Sequence, residues 1–240
     1  MRFRLGLAAF CLVMLAGATY GKDATKLADA GSFGIFREGK RVATETFKIE
    51  QVPGGSTASF QLKMDDGSKE PAQTAEMELT SSGALKRYEW HQLSPEKAEA
   101  VVTPNDPFLM EHMVSAPGAK PIQQPFLAPP TTVVLDNNFF AQRELLAWRY
   151  MAGGCKPGAQ GMECKLSPEK FGILIPQALT TGIVTMESGG WEKVSIRGTE
   201  RNLIRLNLKT ESGDWSLWLD NSYKLVRMLI PAQNVEVVRD

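Results

Sequence analysis

The sequence predicts a mainly β fold: one domain of short antiparallel strands with a single helix near residue 145. Three observations point there. Runs with alternating apolar and polar side chains recur along the chain, separated by Gly-, Asp-, Asn- and Ser-rich turns every eight to twelve residues or so. The 3.6-residue period of an amphipathic helix occurs with force once, over 139–151. The 240 residues, less an N-terminal leader, are a normal length for one all-β domain with a real core.

The leader comes first. Arg2 and Arg4 precede a small-and-apolar run from Leu5 to Leu15, and Ala16-Gly17-Ala18 supplies small residues at its end. Positive, apolar and small, in that order, is the pattern of a secretory signal. The run of about 11 residues falls short of the roughly 20 that span a bilayer. Cys11 follows Phe10 rather than a small residue, which disfavours a lipoprotein signal. The reading is a signal peptide at 1–18, cut after Ala18 or after Gly21, then a loose polar leader at 19–30 and one β-rich domain at 31–240. Export to the periplasm or the medium follows. No second long apolar run is present, so no transmembrane anchor is expected after cleavage.

The first elements form a meander. Phe33 and Ile35 alternate up to a turn at Glu38-Gly39-Lys40. Ala43, Glu45, Phe47 and Ile49 then alternate with Val42, Thr44, Thr46 and Lys48. Strands follow at 59–64, 73–80 and 84–93, divided by Asp65-Asp66-Gly67-Ser68 and Ser81-Ser82-Gly83. Weaker strands are expected at 98–102 and 108–114. Residues 117–130 hold five prolines, and proline lacks the donor that a helix or central strand needs. That segment reads as an extended crossing loop. Asp136-Asn137-Asn138 offers an N-cap cluster for a helix over 139–151. In it, Ala141, Leu145, Trp148 and Ala152 make one stripe, and Phe139, Leu146 and Tyr150 a second, so burial on two sides is expected. Gly153-Gly154 ends it. Strands are then expected at 172–176, 181–186, 191–196, 202–208, 214–219, 224–230 and 235–238. Alternation puts Trp215 and Trp218 on opposite faces.

With Cys11 removed, Cys155 and Cys164 remain. An even count in an exported chain favours a disulfide. The segment between them is turn-rich, and closing so short a loop stabilises by about 2–3 kcal/mol in the chain-entropy account. Zinc would ask for further Cys or His ligands, and the C-x-x-C redox spacing is absent. No metal and no cofactor are expected.

The residues Phe33-Gly34-Ile35-Phe36-Arg37-Glu38-Gly39-Lys40 with Thr44-Glu45-Thr46-Phe47 resemble the first hairpin of exported bacterial proteins filed as domains of unknown function. Trp218-Leu219-Asp220, Leu225-Val226-Arg227 and Val237-Val238-Arg239 resemble their closing strands. Those families in turn resemble the periplasmic lipoprotein carriers. The resemblance implies a curved antiparallel sheet, an incomplete barrel, wrapped around one central helix. It also implies a lean toward binding something apolar, and it carries over no functional residue.

Composition excludes some functions. The 27 basic and 27 acidic side chains balance, so nothing drives nucleic-acid or anionic-membrane binding. His91 and His112 stand in no metal or catalytic spacing. Asp65-Asp66-Gly67 is a turn before it is a calcium loop. Glu76 and Glu78 share a face with no acid–base partner in evidence, so a glycosidase pair with Glu89 gains no support. No G-x-S-x-G is present. The expectation is a non-enzymatic module that holds an apolar or lipid-like ligand between sheet and helix. Its candidate lining is Phe108, Met110, Phe126, Phe139, Trp148 and Trp191, soft or aromatic side chains suited to an acyl chain. The alternative is a structural or interaction module of the cell envelope, with a fully packed core and a protein partner.

Overall fold

The computed structural model describes residues 25–129, 132–158, 161–165 and 167–240. The expected signal peptide and both cleavage positions lie outside the described residues. The first meander comprises β1 (Lys26–Arg37), β2 (Lys40–Val52), β3 (Gly55–Met64), β4 (Gln73–Thr80), β5 (Leu85–Gln92), β6 (Ala98–Asn105), β7 (Phe108–Val114) and β8 (Ile122–Leu127). A short β9 (Val133–Val134), the helix α1 (Gln142–Gly154) and a hairpin of β10 (Cys155–Gly158) and β11 (Gly161–Cys164) follow. The second meander is β12 (Glu169–Ile175), β13 (Thr180–Ile196), β14 (Thr199–Thr210), β15 (Gly213–Leu219), β16 (Leu225–Ile230) and β17 (Val235–Arg239).

Fifteen strands make one sheet, ordered β8 to β1, then β17 to β12, then β9. The two meanders join where β1 pairs antiparallel with β17, Phe33 opposite Arg239 through Arg37 opposite Val235. Every pairing within and between the meanders is antiparallel, and only β9 on β12 runs parallel. The sheet curls on itself: β9, at one end, lies against β5, three strands in from the other end, and the 3-10 turn at Pro176–Ala178 lies against β6. They meet without a shared ladder, so the barrel is incomplete. The expected curved sheet around one helix is what forms.

Period-2 alternation decides which side chains go inside. Phe47, Ile49, Phe60, Met77, Tyr88, Val102, Leu206, Leu217 and Val237 line the inner face with Leu146, Ala147 and Tyr150 of α1. Trp215 is in this inner core, whereas Trp218 packs outside with Val194, Ile196, Leu203, Val226 and Val238. That outer cluster exists because β13 bends. The separate strands expected at 181–186 and 191–196 are one strand, and Gly189-Gly190 is a bulge in it rather than a turn. Gly190 has φ 83°, which favours glycine, and a Cβ on Gly189 would lie 2.6 Å from Arg205 Nε and displace that side chain. The far half of the β13–β14 hairpin thus folds over the convex face.

Three other expectations need correction. β1 begins at Lys26, inside the segment expected to be a loose leader, because Asp29 is anchored there by Lys224 and Arg239. Part of the proline-rich loop forms β8, which pairs with β7 as a sheet edge, where Pro125 is tolerated. α1 starts at Gln142 rather than Phe139. Asp136 caps a local turn instead, its Oδ1 accepting from Asn138 N at 2.7 Å. Phe139 is drawn out of the helix into the core, its ring 5.6 Å from that of Phe60.

Two hairpins share one turn. Pro176-Gln177-Ala178 between β12 and β13, and Pro231-Ala232-Gln233 between β16 and β17, are both 3-10 turns closed by a left-handed residue, Leu179 at φ 49° and Asn234 at φ 51°.

Candidate functional site

The first turn of α1 reads Gln142-Arg143-Glu144, and all three side chains are buried. Polar groups in a core demand partners, and the sheet supplies most of them. Glu45 of β2 replaces a local cap: its carboxylate accepts from Phe140 N at 2.7 Å and Ala141 N at 3.1 Å. Arg143 donates to the carbonyl oxygens of Phe139, at 2.8 Å, and Asp136, and lies 5.0 Å over the ring of Trp215. Asp136 accepts from Tyr88 Oη at 2.6 Å and from Gln177 Nε2. It thereby ties β5 to the Pro176 turn, across the gap where the sheet fails to close. Burial pushes Glu45 up to about 8, against the pull of the two N–H donors and Arg143, and raises Asp136 as well. One guanidinium between two carboxyls leaves the set neutral when one carboxyl keeps its proton.

A second buried cluster pins α1 to the β1–β17 seam. Asp29, fully enclosed, accepts from Lys224 Nζ at 2.7 Å and from Arg239 Nη2 at 2.7 and 2.8 Å. Burial alone would raise its pKa, but these hydrogen bonds outweigh that and hold it below the usual carboxylate range. Glu144 lies beside it, with Arg239 Nη1 at 3.9 Å, and burial and Asp29 push it up to about 9. The Arg239 guanidinium also packs over Phe33 and Phe47, at 5.8 and 5.2 Å from their centroids.

A groove of about 380 Å³ opens between α1 and strands β3, β4, β5 and β9. Its walls are Met77, Leu79, Leu85, Val133 and Val134 from the sheet, and Leu145, Leu146, Trp148 and Ala152 from the helix. Ser81, Ser82, Gln51 and Ser56 sit at its hairpin-turn rim. The spacing i, i+3, i+4, i+7 sets Gln142, Leu145, Leu146 and Arg149 on one helix face, and all four line the groove. No Asp or Glu does. Two donors there lack hydrogen-bond partners, Gln142 Nε2 and Arg149 Nη1. The Gln142 Oε1 is engaged by Asp136 N at 2.6 Å. Burial and the Asp136 carboxylate push the Tyr88 hydroxyl's pKa up, and the Gln142 amide, turned toward that hydroxyl without a hydrogen bond of normal geometry, pulls weakly against them. The Arg149 guanidinium lies 5.9 Å from the centroid of Phe171 and forms no ion pair among the described residues.

The six lining residues expected from sequence are not brought together. Trp148 lines the groove, its Nε1 donating to Tyr223 O at 2.6 Å. Phe139 is enclosed in the core. Phe126 packs against the core from β8, opposite Leu109. Phe108 and Met110 share the outer face of β7, Phe108 being 39% exposed, and Trp191 is 48% exposed on the folded-back hairpin. His91 contacts Glu89 at 3.0 Å on the surface, His112 is exposed, and Glu76 and Glu78 face solvent on β4. What sequence reasoning missed is the buried charge. Glu45 sits in step with Ala43, Phe47 and Ile49, and Glu111 in step with Leu109, so the alternation that marks the inner face also marks them.

Comparison with known proteins adds one likeness of fold. No protein family matches the chain, and neither does any curated protein. A crystal structure of a β-barrel-like protein of the domain of unknown function DUF1849, from Brucella abortus, is similar. It has 9% sequence identity, with 90% of this chain and 97% of that one covered, at a TM-score of 0.49.

Proposed function

We propose that this protein is an exported, non-enzymatic envelope module that holds an apolar or amphipathic ligand in the groove between α1 and the curved sheet. The observation that carries this reading is the groove itself: about 380 Å³ with apolar walls and a short polar rim, within the size range of small-molecule pockets. Each Å² of apolar ligand surface covered there contributes about 25 cal/mol. No helix among the described residues is long and apolar enough to cross a membrane, which accords with release after signal cleavage. A Cys155–Cys164 disulfide belongs to the same reading. The two residues stand directly opposite in the β10–β11 ladder, where Cα atoms lie about 4.5–5.5 Å apart, inside the span a disulfide bridges.

The test is native mass spectrometry and lipid extraction on protein recovered from the periplasm of its own cells, beside an Ala152→Trp variant. Ala152 is exposed at the groove mouth, so the indole blocks entry without entering the core. Co-purifying lipid in the native protein and its loss in the variant are expected. Equal lipid in both, or none in either, refutes the groove as the site. Alkylation before and after reduction tests the disulfide, which predicts that thiols appear only after reduction.

One observation favours the alternative of an interaction module with a protein partner. Most of the space between sheet and helix is packed, with Leu146, Ala147 and Phe139 wholly enclosed. A lipid-free protein that elutes with another envelope protein would favour that reading.

A further inference from the structure

The polar groups of the groove are one-sided. Gln142 is 1% exposed, and its one acceptor is already used by Asp136 N. Its Nε2 is enclosed beside the Tyr88 hydroxyl, so this amide belongs to the buried polar network. Arg149 is half-buried and presents an enclosed Nη1 donor that has no hydrogen-bond partner among the described residues, on a guanidinium, a group that only donates. Seven residues apart on α1, the two lie on one face with about 10 Å of rise between them. An unmet buried donor is costly. Among the described residues, no carboxylate lines the groove. The partner that suits Arg149 is therefore a negatively charged acceptor.

From this complementarity, and resting on the groove being a ligand site, we infer that its ligand is a single-chain amphiphile with an anionic oxygen head. The head is held by Arg149, and the chain runs along Leu79, Val133, Leu145 and Trp148, the walls that are only half-buried. A volume of about 380 Å³ sits near the lower end of the range for ligand pockets, which suits one chain rather than the two of a phospholipid. A carboxylate and a phosphate head share the chemistry that the guanidinium reads.

Isothermal titration of the full-length mature protein with decanoate, decyl phosphate, decanol and decylamine, each below its micelle concentration, separates the possibilities. Decanoate or decyl phosphate should bind about tenfold or more tighter than decanol and decylamine, the difference expected of one charge-assisted hydrogen bond. The stronger of the two anions identifies the head. Arg149→Met keeps the apolar stem and should erase that advantage while leaving decanol unchanged, and Arg149→Lys should restore part of it. If all four bind equally, and Ala152→Trp abolishes them all, the groove stands as a site and the anionic head is refuted. An advantage that survives Arg149→Met refutes it too. If none binds, the groove reading falls and takes the inference with it.

Discussion

Glu111 of β7 is wholly enclosed, and neither carboxylate oxygen has a hydrogen-bond partner. Burial alone pushes it from 4.5 up to about 8. The folded chain therefore holds this proton up to about pH 8, while the unfolded chain releases it near 4.5. Between those values the folded state binds the extra proton, so raising the pH lowers stability, by up to about 1.4 kcal/mol per pH unit. β7 lies next to the edge strand β8, where nearby solvent screens part of the penalty, and about 2 kcal/mol is a fair expectation for the whole window. Glu111→Gln is uncharged throughout. Urea unfolding at pH 5, 6.5 and 8 should find the variant equal to the native protein at pH 5 and about 2 kcal/mol more stable at pH 8, a shift of about 5 °C in Tm. A difference that stays constant across the three pH values refutes the reasoning.

Three further outcomes are expected. Glu45→Ala leaves the Phe140 and Ala141 N–H groups without their acceptor and should cost about 1–3 kcal/mol in urea unfolding, with Glu45→Gln costing less. Leu179→Asn relieves the left-handed position that Asn234 fills in the matching turn, and should raise stability by about 1 kcal/mol; no gain in Tm would count against strain at that residue. Gly55→Ala would place a Cβ 1.9 Å from the Leu79 carbonyl oxygen, so the β3–β4 ladder must shift, and a loss of about 2 kcal/mol or more is expected by calorimetry.

The sheet was legible because alternation along a strand is a local property. Phe47-Lys48-Ile49 and Trp215 to Trp218 announce their faces from sequence alone, and both sort as they read. The bend at Gly189-Gly190 was not legible, since a glycine pair serves a turn or a bulge equally well and only the packing of Val194 and Ile196 on Trp218 decides. The helix start misled for a related reason. Asp136 is a good cap, but Glu45, far away in sequence, holds the N–H groups of Phe140 and Ala141, and tertiary contact overrides local signal. For the groove, Trp148 was found because it belongs to the helix stripe. Gln142 and Arg149 were passed over because polar residues on a helix usually face water. Phe108 and Trp191 drew notice as large apolar side chains, and residue type does not say which side of a sheet carries them.

The β1–β17 seam joins residues some 200 positions apart, Phe33 with Arg239, and it lies in the middle of the sheet rather than at a margin. Each meander can zip by neighbour-to-neighbour contacts, but their union waits for the segment 235–239 to be synthesised and delivered. Until then two half-sheets present open borders, and such non-local closure is slow. A chain stalled a few residues short would emerge with both borders bare, a template for sticking to its neighbours.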